Sequence, residues 1–183
     1  MDDSQLIAAC KKQNRNAQKT LYELYAPKML AVCLRYCRND EVARDLLHDG
    51  FIQVYMQIGS YAGKGSFEGW LRRIFVNLAL ENYRKEKQRL LVLNEVENSQ
   101  SLQEDFSDDM FEVKNITRNE LLEMIRNLPD GYRTIFNLYI FEGMSHREIA
   151  NKLGITENAS RSQYYRAKSI LQKQVQTTLK KAK

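Results

Sequence analysis

The chain has 183 residues, with 28 Lys+Arg against 23 Asp+Glu, eight glycines, two prolines and three cysteines. Its 43% apolar and 28% charged composition is globular, no apolar run approaches the roughly 18–20 residues of a membrane helix, and three cysteines make no disulfide framework. The net charge of +5 is unevenly spread: residues 1–90 and 119–183 are each basic, and residues 91–118 between them are acidic, a pattern of two domains and a connector whose partner is a polyanion.

Few β-branched runs and only two prolines favour helices over a sandwich or barrel. Leu6 to Tyr25 and Met29 to Cys37 have helical apolar spacing, and Pro27 is expected to kink this stretch or restart it as two pieces. Asn39 or Asp40 can cap a following helix that runs to about Ile58. Its predicted inward stripe is Val42, Leu46, Leu47, Phe51, Val54 and Ile58, and its outward face carries Asp45, His48, Asp49, Ile52 and Met56. Gly59 to Ser66 reads as a loop, and Phe67 to about Lys87 as a helix burying Leu71, Ile74, Phe75 and Leu78. The first block is therefore a bundle of about four helices.

Leu91 to Arg118 lacks a sustained apolar period and reads as a flexible acidic linker. Beyond it, Glu120 to Leu128 forms a helix with Leu121, Leu122, Ile125 and Leu128 on its core side, broken by Pro129-Asp130-Gly131. Tyr132 to Glu142 is the next helix, with Ile135, Phe136, Tyr139 and Ile140 at helical spacing. Ser145-His146-Arg147-Glu148 is a capping box that opens a short helix. Gly154-Ile155-Thr156 then turns the chain into a last helix with an apolar seam at Tyr164, Ala167, Leu171 and Val175. The fold class is thus all-α, with two small helical domains: residues 1–90, a linker over 91–118, and a helix-turn-helix domain over 119–183.

A major groove roughly 12 Å wide admits one α-helix, whose first turns read base edges. Here those turns offer Asn158, Arg161, Ser162, Tyr165, Arg166 and Lys168, with Arg166 and Lys168 equally suited to phosphate contacts. In the first block, Trp70, Arg73, Asn77, Glu81 and Arg84 share one helical stripe beside the loop that holds Tyr61, Lys64 and Phe67. Rings on which bases stack, interleaved with cations that hold the backbone, suit single-stranded nucleic acid. Read alone, Phe67 and Trp70 fit a hydrophobic core better.

Several motifs in order carry a resemblance to bacterial sigma factors of the small, two-domain extracytoplasmic-function group. Ala43-Arg44-Asp45-Leu46-Leu47-His48-Asp49-Gly50-Phe51 resembles that family's polymerase-binding helix, and Phe67-Glu68-Gly69-Trp70-Leu71-Arg72-Arg73 through Ala79 its promoter-melting helix. Leu128-Pro129-Asp130-Gly131-Tyr132-Arg133 and Ala159-Ser160-Arg161 through Lys168 resemble its C-terminal promoter-binding domain. The resemblance implies that Asp45, His48, Asp49 and Ile52 dock on the largest-subunit clamp of core RNA polymerase. It also implies that the 59–67 loop, with Tyr61, Lys64, Phe67, Trp70, Arg73, Asn77 and Arg84, captures unpaired minus-ten bases. Asn158, Arg161, Ser162 and Tyr165 would read minus-thirty-five duplex, the acidic linker would thread the transcript channels, and an anti-sigma factor would mask the same surfaces. Arg44, His48 and Asp49 depart from the family's usual acid, glutamine and glutamate.

Other chemistry is not indicated. Gly59 to Gly65 has three spacers between its glycines and no Ser or Thr after Lys64, so it is no phosphate loop. Cys33 and Cys37 lack further metal ligands at a telling spacing and read as buried free thiols. No nucleophile–base set is present, so neither catalysis nor a cofactor is expected, and the protein is expected in the cytoplasm, without membrane insertion. The competing reading is a free-standing helix-turn-helix regulator of duplex DNA. It leaves the Asp45/His48/Asp49 face and the aromatic-basic stripe without a use.

Overall fold

The computed structural model describes residues 3–93 and 116–181, with side chains over 3–88 and 116–180. All regular elements among the described residues are helical, which bears out the all-α expectation. Most of the connector expected over 91–118 lies outside the described residues. The chain divides into two compact units, Met1–Lys85 and Glu86–Lys183.

The first unit contains α1 (Asp3–Lys11), α2 (Arg15–Tyr36), α3 (Asp40–Gln57), a 3-10 turn over Ile58–Ser60 and α4 (Phe67–Leu93), which runs past the unit boundary. Contrary to expectation, the chain breaks before Arg15 and not at Pro27. Gln13 takes a left-handed φ of 58°, and the N–H groups of Gln13 and Asn14 donate to the carbonyls of Cys10 and Ala9, a Schellman closure of α1. Asn14 then caps α2 by accepting from the Ala17 N–H at 3.0 Å. α2 passes through Pro27 unbroken because Pro27 and Glu23, whose carbonyl loses its donor, both lie on the exposed side. Burial of Leu21, Tyr25, Ala26, Met29, Val32 and Cys33 holds the helix on both sides of the proline.

Asn39 caps α3, accepting from the Val42 N–H at 2.9 Å. Val42 itself is exposed, correcting the predicted stripe, and Ala43 takes the inward position. One residue along a helix is a rotation of about 100°, and the small Ala43 side chain suits the close approach there. Leu78 is only half-buried, whereas Val76, Ala79 and Leu80 are buried, so the inward face of α4 is wider than predicted. The core centres on Leu21, Met29, Leu46, Phe51, Val54, Leu71 and Phe75, with the Phe51 ring 5.4 Å from Phe75 and 4.7 Å from Tyr22. Cys10, Cys33 and Cys37 are buried free thiols, and burial pushes the Cys33 thiol up to about 12.

The second unit contains α5 (Arg118–Arg126), α6 (Asp130–Ile140), α7 (His146–Leu153) and α8 (Glu157–Lys181). α5 starts two residues earlier than predicted because Thr117 and Glu120 form a capping box. α6 starts at Asp130 behind Pro129, two residues before the predicted Tyr132. The predicted box at Ser145 and Glu148 is present, and Gly154 closes α7 in the left-handed region at φ 66°. Met124, Ile125 and Leu128 pack against Ala167, Leu171 and Val175 of the α8 seam. The core side of α5 therefore includes Met124, while Leu121 and Leu122 are half-buried.

Candidate nucleic-acid interface

Three surfaces carry the residues singled out by sequence. On α3, Asp45, His48, Asp49 and Ile52 are all exposed, as expected. Residues 42, 45, 49, 52 and 56 recur every three or four positions and so form one stripe. Val42, Ile52 (44% exposed) and Met56 (74%) lie on it beside two carboxylates.

The second surface is the loop and the start of α4. Gly63 and Gly65 take φ values of 74° and 78°, which bend the loop back so that the Tyr61 hydroxyl donates to the Gly65 carbonyl at 2.9 Å. Ser66 accepts from the Gly69 N–H at 3.1 Å, capping α4. Lys11 of α1 donates to the Tyr61 carbonyl at 2.7 Å. Phe67 is buried (5% exposed), with Tyr61 at 5.1 Å, Trp70 stacked at 5.5 Å and the Tyr25 edge at 5.5 Å. Phe67 is thus the floor under Tyr61 and Trp70, two rings that stay half-buried at the surface. Lys64 of the loop and Arg73, Asn77 and Arg84, successively farther along α4, are exposed. A groove of about 610 Å³ opens beside the loop, walled by Asp3, Ser4 and Ile7 of α1 and by Tyr61 and Phe67. Asp3, on its wall, accepts from the buried Tyr25 at 3.1 Å. Burial, then Asp3, pushes the Tyr25 phenol up to about 12, so it remains a donor.

The third surface is the start of α8. Thr156 accepts from the Ala159 N–H at 3.1 Å, fixing the first turn. Asn158 and Arg161 are exposed; Ser162, Tyr165, Arg166 and Lys168 are half-buried. Residues 158, 162 and 165 point away from the seam formed by buried Ser160, Ala167 and Leu171 and by Tyr164, which is only half-buried, as a groove-reading helix requires. Arg161 pairs with Glu157 at 2.5 Å, and Arg166 donates to the Tyr132 hydroxyl at 3.4 Å.

Sequence reasoning missed the polar core beneath this helix. Arg133 is buried, donating to the carbonyls of Arg126 and Leu128 and pairing with Asp130. It thereby satisfies carbonyls at the end of α5 that no helical N–H reaches. Asn137 is buried and donates to the Arg133 carbonyl at 2.9 Å. His146 (8% exposed) stacks on Tyr139 at 4.6 Å, and its Nδ1 lies 2.9 Å from Oγ of the fully buried Ser160. Burial, then the charge of Arg161, holds the His146 imidazole below its ordinary range. The only sequence sign was a polar residue at an inward helical position in each case.

Known proteins supply the context for these surfaces. The family model described as Sigma-70 region 2 matches residues 21–89, and that for Sigma-70 region 4 matches residues 118–171. The chain is 26% identical over 188 residues to the RNA polymerase sigma-H factor of Pseudomonas aeruginosa, covering 98% of this chain and 97% of the relative. It is 28% identical over 176 residues to the ECF RNA polymerase sigma factor SigW of Bacillus subtilis, covering 92% and 94%. It is 26% identical over 189 residues to the ECF RNA polymerase sigma-E factor of Escherichia coli, covering 99% and 98%. Among solved structures, the sigma factor RpoE of Bartonella quintana, in complex with the anti-sigma factor NepR, has a similar fold, with a TM-score of 0.51 and 18% identity over 86% of this chain and 96% of that one. With both region models matched in order and relatives aligned end to end, the chain belongs to the extracytoplasmic-function group of the sigma-70 family.

Proposed function

We propose that this sigma factor is a dissociable subunit of RNA polymerase that directs transcription initiation by reading both elements of a promoter. In this reading residues 1–90 dock on the largest-subunit clamp through Asp45, His48, Asp49 and Ile52, and residues 119–183 read the minus-thirty-five duplex. Asn158, Arg161, Ser162 and Tyr165 reach base edges, while Arg166 and Lys168 hold phosphate. Tyr61 and Trp70 stack unpaired minus-ten bases, Asn77 helps to capture them, Lys64, Arg73 and Arg84 hold the backbone, and Phe67 supports the rings. Extruding a base costs a few kcal/mol of unstacking, which stacking at roughly 1–3 kcal/mol per base offsets; promoter melting follows from that balance. Residues 91–118 are the acidic linker that threads the transcript channels. The protein acts in the cytoplasm with its polymerase, and an anti-sigma protein covers its surfaces until it is released.

One observation carries this reading. The α3 stripe sets exposed Val42, Ile52 and Met56 beside Asp45 and Asp49 on the same unit as the aromatic groove. A duplex-binding regulator working alone has no use for such a stripe, whereas a subunit that must leave and rejoin polymerase needs one. A band-shift series tests it. The chain should hold promoter duplex poorly alone and well with core polymerase; full-strength, sequence-specific and salt-sensitive binding without polymerase would favour the regulator.

A further inference from the structure

We propose that His146 is a positioning residue for the DNA-reading helix: its stack on Tyr139 and its Nδ1 contact to Ser160 fix the rotation of the first turns of α8. This rests on the reading of α8 as the minus-thirty-five helix.

The argument begins with Ser160. It is the first residue of the buried seam of α8 and is fully buried, while Asn158, Ser162 and Tyr165 lie on the opposite side of the same turns. The rest of the seam packs by contact, at Ala167, Leu171 and Val175. Apolar burial is non-directional, so a smooth seam tolerates small rotations about the helix axis. A hydrogen bond constrains distance and angle together, and Ser160 has one to His146 at 2.9 Å.

His146 is itself held. It is the first residue of α7, fixed by the capping box of Ser145 and Glu148. Its ring lies nearly parallel to Tyr139 of α6, at 14°, and meets Tyr164 of α8 at 5.6 Å. At the other end of α7, Gly154 and Ile155 both donate to the Ala150 carbonyl and set the turn into α8. Eight helical residues span about 12 Å, so α8 is fastened to α7 at two well-separated points. The turn sets where α8 begins, and the imidazole sets which way it faces.

The charged and titratable groups around the ring are Arg161 and Glu157 on α8, with the Tyr139 and Tyr164 phenols. Arg161 is also a base-reading candidate. Protonating His146 therefore sets a cation against the residue that reads the groove and against the positive N-terminal end of α7.

The test uses the full chain with core polymerase and a promoter pool randomised across the minus-thirty-five window, read as the enrichment of preferred over disfavoured sequences. His146→Phe keeps a flat ring for Tyr139 and removes Nδ1. His146→Asn keeps a polar atom near the Nδ1 position. Ser160→Ala removes only the hydroxyl, and far-UV melts verify folding of each variant. His146→Phe and Ser160→Ala should each reduce enrichment roughly three- to tenfold, the effect of one lost hydrogen bond. The double variant should lose no more than either single, and His146→Asn should recover part of the loss. Wild-type enrichment should fall as pH drops below 6.5, and that of His146→Phe should stay flat. Unchanged enrichment in the single variants, additive losses, or the same pH profile with and without the imidazole would overturn the proposal. If the wild type enriches nothing, the DNA-reading assignment of α8 fails first, an outcome distinct from these.

Discussion

The Phe75 ring fills the space that a β-carbon on Gly50 would occupy: such a carbon would stand 2.0 Å from one ring atom and 2.5 Å from two others. α3 and α4 are locked together at this crossing, with Phe51 packed edge-on against the same ring. Gly50→Ala should destabilise the first unit, because overpacking costs typically 1–3 kcal/mol against a gain of up to about 1 kcal/mol for replacing a mid-helix glycine. Trp70 is the only tryptophan, so its fluorescence during urea unfolding reports on this unit. Adding Phe75→Leu should restore part of the loss.

Asp45 and Asp49 are solvent-facing, so charge reversal there leaves the core untouched. Asp45→Arg with Asp49→Arg should abolish retention by immobilised core polymerase while the Trp70 unfolding midpoint stays unchanged. Met56→Ser, which removes an exposed apolar group from the same stripe, should weaken retention without abolishing it. Undiminished retention of the double variant would remove α3 from the docking surface.

Arg161 must leave its 2.5 Å partner Glu157 to reach a base. Both groups are about half exposed, so parting them costs no more than about 1 kcal/mol. Arg161→Ala should relax discrimination at one minus-thirty-five position by roughly 1–3 kcal/mol, whereas a uniform loss across sequences would make it a phosphate contact. Glu157→Gln should tighten promoter binding by up to about fivefold, because it frees the arginine and removes a carboxylate facing phosphates. Quantitative band shifts of the polymerase complex on single-base variants measure both.

Acid should weaken the second unit in two stages. The folded-state pKa of His146 lies below its ordinary 6.5, so its contribution is fully present above pH 6.5 and is lost as pH falls toward the folded value. Hydrogen bonds from Thr117 and Ser145 lower Glu120 and Glu148 from 4.5. Their capping boxes therefore hold above pH 4.5 and weaken as pH falls below it. Amide protection in α7, taken relative to the intrinsic exchange rate at each pH, should fall as pH drops below 6.5, and His146→Phe should cancel that step alone.

The helices, both units and the solvent face of α3 were legible in the sequence because apolar spacing and cap residues act locally. What escaped was decided by the surroundings. Pro27 is a helix breaker by itself, and only the burial of residues on both sides of it carries α2 through. Val42 and Ala43 differ by one helical step, and packing chooses which turns inward. Arg133, Asn137, His146 and Ser160 are polar residues that apolar periodicity assigns to no core, yet each is buried with a hydrogen-bond partner. Phe67 and Trp70 belong to one ring cluster, but Phe67 lies beneath the surface and Trp70 at it.

The most direct test is run-off transcription with purified core polymerase on a library of upstream sequences. Adding the chain should switch on synthesis from a defined subset of templates that share two spaced elements. Core enzyme that remains silent on every template, or that starts without sequence preference, would contradict the account.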